Sequence, residues 1–153
     1  MLFLFCYLHH LGPWINLIGV SGAQFAFYND AVNYYVAKII CTNIGGILYE
    51  PRDQDVMQIV INQAQTASLG EFWIGINDME NEGTFVYDSD SSPLSFTNWK
   101  SGEPNNANSG EDCAIVNFYG KWVDLHCTDY KRSTVCVREI GKGISIFYLF
   151  FLL

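Results

Sequence analysis

Three short stretches in the second half of the chain concentrate oxygen donors: Gly102-Glu103-Pro104-Asn105-Asn106, Gly110-Glu111-Asp112-Cys113 and Lys121-Trp122-Val123-Asp124. Calcium takes about six to eight oxygens from carboxylates, amide carbonyls, backbone carbonyls and water. Glu103, Asn105, Glu111 and Asp124 can supply such a set. Pro104 matters because cis peptide bonds occur mainly before proline, and a cis bond at Glu103–Pro104 would turn both flanking side chains the same way. Other chemistries fit the residues less well. His126 is isolated, and His9 and His10 lie in an apolar N-terminal stretch. Ser21, Ser68 and Ser109 stand in no nucleophile motif. Two neighbouring carboxylates can serve a glycosidase, but here the acids bracket Pro and Asn in a metal-ligand pattern. The chain reads as a binding protein, not an enzyme.

These donors need a scaffold. Residues 20–28 alternate and read as a first strand. Asn29 or Asp30 can cap a helix that places Val32, Tyr35, Val36, Ile39 and Ile40 on one face, with Gly45-Gly46 ending it. Asp53 can cap a second helix with Val56, Ile59, Val60 and Gln63 on one side. After Gly70 the pattern changes to short strands at 72–76, 84–87, 114–118, 121–125 and 134–138. Between them runs a long polar stretch, Asp88 to Gly110, rich in Ser, Asn, Pro and Gly. A loop of that length inside a compact domain is uncommon and usually functional. Trp73, Trp99 and Trp122 read as core and loop-packing residues. Two helices followed by strands around a long loop predict an α+β fold.

The 153 residues suit one domain. The net charge is −8, and it is concentrated: eleven acids against two bases lie between Glu71 and Asp129. Nucleic acid and anionic membrane both need a basic face, so the charge argues against either as a partner. Carboxylates gathered around a hard cation fit the balance. Of five cysteines, Cys41, Cys113, Cys127 and Cys136 lie in the body of the chain and Cys6 in the apolar leader. No pair is spaced CxxC, so two disulfides in an oxidising compartment are expected, with three pairings open. Residues 1–19 are expected to be a secretory signal peptide or a mispredicted leader, and residues 140–153 an apolar tail whose run 144–153 is too short to span a bilayer as a helix.

The ordered set of Cys41, Gly45-Gly46, Pro51-Arg52, Trp73-Ile74-Gly75-Ile76, Asn98-Trp99, Gly102-Glu103-Pro104-Asn105, Glu111-Asp112-Cys113, Gly120-Lys121-Trp122, Cys127 and Val135-Cys136 resembles the C-type lectin domain, most closely the collectins. The resemblance covers residues 20–139. It implies a C-type lectin fold: two helices, short antiparallel sheets and a long calcium-binding loop. It also implies the disulfides Cys41–Cys136 and Cys113–Cys127, and a cis proline at Pro104. It assigns a principal Ca2+ to Glu103, Asn105, Glu111 and Asp124, which would also touch sugar. An accessory Ca2+ falls to Asp78, Glu82, Asn106, Glu111 and Asp112. The order Glu-Pro-Asn resembles the mannose-type subset, whose partners are glycans with vicinal equatorial hydroxyls: mannose, N-acetylglucosamine, fucose or glucose. A secreted, extracellular protein is implied. This chain has no Gly-X-Y tract or heptad neck, so collectin-like trimers are not encoded in it.

Val123 departs from the pattern. The family residue there is Asn, whose amide serves both metal and sugar, and valine does neither. The alternative function is therefore a C-type-lectin-like domain that binds protein or ice, with sugar binding weakened or lost through Val123.

Overall fold

The structure, a computed structural model, describes residues 13–107 and 109–140. Cys6, residues 1–12 and the apolar tail from residue 141 lie outside the described residues. The elements run β1 (Ala23–Val32), α1 (Tyr34–Asn43), β2 (Ile47–Leu48), α2 (Gln54–Thr66), β3 (Phe72–Asn77), β4 (Val86–Tyr87), β5 (Cys113–Val116), β6 (Trp122–Leu125) and β7 (Arg132–Glu139). The fold is α+β, as expected. The strands join in one sheet of order β1-β7-β3-β5-β6, with β2 on β7 and β4 on β3. Every pairing between these strands is antiparallel but one: β3 and β7 run parallel through Phe72↔Ser133 and Trp73↔Thr134. The sheet is therefore mixed.

Strand periodicity divides the core into two clusters. Phe72, Ile74 and Ile76 of β3, Ala114 and Val116 of β5 and Trp122 of β6 join Met57, Val60, Ile61 and Ala64 of α2. The alternate residues Trp73, Cys113 and Ile115 join Tyr34, Ala37 and Cys41 of α1. The disulfides Cys41–Cys136 and Cys113–Cys127 both form, within this second cluster. Trp14 to Leu17 also pack on the domain: Ile15 bridges to Phe25, the Trp14 indole N–H donates to the Ile44 carbonyl, and Leu17 is buried.

α2 is capped as expected by Asp53, whose carboxylate accepts from the Asp55 and Val56 amides. α1 starts later than its sequence suggests. β1 runs on to Val32 through a register shift after Tyr28, and Asn33 caps the helix by accepting from the Val36 amide. The buried face is Tyr34, Ala37 and Cys41, whereas Tyr35, Val36 and Ile39 are exposed. The edge-to-face contact of Tyr34 with Trp73 and the Cys41–Cys136 bond decide which side turns inward.

Candidate functional site

The segment between β4 and β5 has little regular structure, yet both ends are anchored. At its start the buried Glu50 carboxylate accepts from the Ser89 amide and hydroxyl and from Arg52, whose guanidinium lies 3.8 Å from the centre of the Tyr87 ring. Further along, Asn98 staples it to β6. The Trp122 amide donates to the Asn98 carbonyl, the Lys100 amide to the Trp122 carbonyl, and the Asn98 amide group to Gly120. Trp99 packs edge-on against Trp122 and Phe85, as a loop-packing residue should.

This staple delivers residues 102–107 to Asp124. The Glu103–Pro104 bond is cis. The Asn105 side-chain amide donates to a Glu103 carboxylate oxygen. Asp124, almost fully buried, accepts from the Asn105 amide at 3.0 and 3.1 Å and from the Asn106 amide at 2.7 Å. Glu111, also buried, accepts from the Ala107 amide at 2.7 Å. Thus all four expected principal residues line one loop system, and Glu103, Asn105 and Asp124 are in mutual contact. The Glu103 carboxyl is pushed up to about 7 by desolvation, then by its hydrogen bond to Asp124 and the Asp124 charge. Lys100, 4.0 Å away, offsets this only partly, and Glu111 adds to it.

The expected accessory residues divide. Asp78 is buried. One of its oxygens accepts from the Gly83 amide, while the other has no hydrogen-bond partner. Desolvation raises its pKa, and the charges of Glu82 and Asp112 raise it further. The Asp78 amide donates to the Asp112 carbonyl at 3.1 Å. Asn106 instead uses its side-chain oxygen as a clamp, accepting from the Gly110 and Glu111 amides. Its own φ of 45° and the φ of 111° at Gly110 shape the turn into Glu111. Asn106 stands in the sequence motif as an expected calcium ligand, so nothing there marks it as a clamp, and Glu50 stands in no recognisable spacing.

Val123 lies half-buried on β6 opposite Ile115 and packs against the disulfide cluster, while its neighbours Trp122 and Asp124 turn the other way. Among the described residues, no group of three or more Asp, Glu, His or Cys side chains could hold a metal ion as arranged. Asp124 and Glu111 spend oxygens on backbone amides instead. Yet the donor types are hard carboxylate and amide oxygens, and the crowded Glu103 and the orphaned Asp78 oxygen both gain from a cation. The residues fit calcium in kind.

The family model of the Lectin C-type domain matches residues 30–138. The chain belongs to this family, whose members are generally binding proteins rather than enzymes and generally bind calcium. It is 39% identical over 94 residues to collectin-11 of Danio rerio, covering 61% of this chain and 35% of that protein. It is 37% identical over 106 residues to the mannose-binding protein of Gallus gallus, covering 65% of this chain and 37% of that one. The cow CD23 carbohydrate-recognition domain, solved in the presence of GlcNAc2Man3 oligosaccharide, superposes with a TM-score of 0.75 at 30% identity, covering 84% of this chain and 94% of that chain. The chain spans little more than a third of the length of these two curated relatives. No helix among the described residues is long and apolar enough to cross a membrane.

Proposed function

We propose that this domain, residues 20–139 with Trp14 to Leu17 packed along it, is secreted and binds mannose-type sugars in a calcium-dependent way. The observation that carries the reading is the meeting of Glu103, Asn105 and Asp124, with a carboxyl pushed up to about 7 by desolvation and acidic neighbours. Such a cluster is short of positive charge. Glu103, Asn105, Glu111 and Asp124 would hold a principal Ca2+, and Asp78, Glu82, Glu111 and Asp112 an accessory one. Asn106 would join the accessory set only by giving up its clamp. Calcium, when bound there, would supply a Lewis-acid site for sugar hydroxyls. The chain's own part is to accept hydrogen bonds from those hydroxyls at Glu103 and to donate one from the Asn105 amide. Asp124 holds the Asn105 backbone so that this side chain stays in place.

The order of acid and amide around Pro104 supports preference for vicinal equatorial hydroxyls, the geometry of mannose and N-acetylglucosamine. Retention on mannose-agarose and elution by a chelator test the reading. Glu103→Gln with Asn105→Asp reverses the order, and the expected outcome is weaker mannose binding with a shift toward galactose. Unchanged selectivity would mean these side chains do not touch sugar. If the protein neither binds calcium nor stays on the column, the protein- or ice-binding alternative takes its place.

A further inference from the structure

Between Glu71 and Asp129 the chain has two bases, Lys100 and Lys121, and it uses them differently. Lys121 is committed to the staple: its ammonium donates to the Asn98 side-chain oxygen at 2.7 Å. Lys100 faces the binding loop. Its amide donates to the Trp122 carbonyl, and its carbonyl accepts from the Glu103 amide, both at 2.9 Å. Gly102, with a φ of 89°, completes a four-residue turn. Such a turn brings its first and fourth side chains together, and the Lys100 ammonium stands 4.0 Å from Glu103 Oε1. The other Glu103 oxygen accepts from the Asn105 side-chain amide. The two partners differ in exposure: the Glu103 side chain is 8% exposed and that of Lys100 55%. Solvent cations therefore reach the carboxylate poorly, while the lysine has open water beside it.

We propose that Lys100 is the counter-ion of the metal-free loop, a tethered cation that has to leave Glu103 before calcium can be held there. This rests on the proposed calcium site and adds to it the residue that sets the calcium threshold. In the metal-free protein the ammonium offsets part of the crowding of Glu103 by Asp124 and Glu111. An ammonium and a divalent cation repel each other at close range, so the two do not share one carboxylate. With calcium in place Lys100 is turned out to water. Each binding event then gives up the Lys100–Glu103 pair, and the worth of that pair is subtracted from the affinity. A pair with one exposed partner changes affinity by a few-fold, not by orders of magnitude.

Calorimetric calcium titration of the full chain tests this exchange. Lys100→Gln is expected to tighten calcium binding about two- to five-fold, by a smaller factor at high salt. Lys100→Arg is expected to return the affinity to that of the parent. In chelator, Lys100→Gln is expected to melt below the parent, and with saturating calcium at the parent's temperature. Acetylation of the Lys100 amine, followed by peptide mass with the exposed Lys131 as reference, is expected to be slower in chelator than in calcium. Equal calcium affinity in parent and Lys100→Gln, or a Lys100 amine as reactive in chelator as in calcium, overturns the proposal and leaves the calcium site standing. A parent that takes up no calcium overturns both together.

Discussion

Val123 is held by one set of contacts and missed by another. Its methyl groups pack against the disulfide cluster, while the family residue at this place would serve the loop. Val123→Asn is therefore expected to have opposed effects. Stability falls by about 1 kcal/mol from lost apolar burial, and calcium and mannose both bind more tightly, by about ten-fold or more for one ligand and one donor. Calcium calorimetry with and without mannose reads the second effect and a melting curve the first. Equal affinities in parent and variant would mean that another group supplies the missing ligand. Glu103 gives a pH prediction. Its folded carboxyl is raised to about 7 from 4.5, so its protonated form is the one the metal-free fold favours. The stability this gives is present below about pH 4.5 and lost as pH rises through 7. Asp78 shifts in the same direction. Calcium competes with those protons, so the rise in melting temperature on adding calcium should be larger at pH 8 than at pH 5. An equal rise at both would remove Glu103 from the metal site.

At the scale of elements, the Asn106 clamp and the Gly110 turn work together. A Cβ on Gly110 would lie 3.2 Å from the His126 ring, at a φ that side chains rarely adopt. Gly110→Ala is expected to cost about 1–3 kcal/mol and to weaken calcium binding through Glu111, without touching a ligand itself. A normal calcium isotherm for this variant would show the turn to be free to adjust. Much of the scaffold is legible in the sequence. Asp53, the run from Phe72 and the strands around Trp122 and Cys136 carry strong caps or alternation, and the site residues stand in a familiar order. α1 is harder to read because both of its sides are apolar, so its periodicity has no contrast. Its orientation depends on Trp73 and Cys136, far away in sequence. The clamp of Asn106 and the staple of Asn98 are invisible for a related reason: which backbone amides they meet depends on loop paths, not on composition.

At the scale of the whole molecule, acidity and smallness set how the domain can work. The proposed sugar site is expected to bind monosaccharide on the order of millimolar, about −4 kcal/mol. Titration of mannose against the monomer measures this. Micromolar binding by one site would require contacts beyond Glu103, Asn105, Glu111 and Asp124. Useful retention on a glycan surface then requires several copies held together. The bond between Cys41 and Cys136 spans 95 residues and leaves the long loop inside its ring. A protease that cuts once between Asp88 and Gly110 therefore opens the chain without dividing it. The two pieces should migrate as one on a non-reducing gel and separate only with reductant. The half carrying Glu111 and Asp124 stays tied to the half carrying α1, so a nicked protein keeps its sheet while losing the continuity of its binding loop.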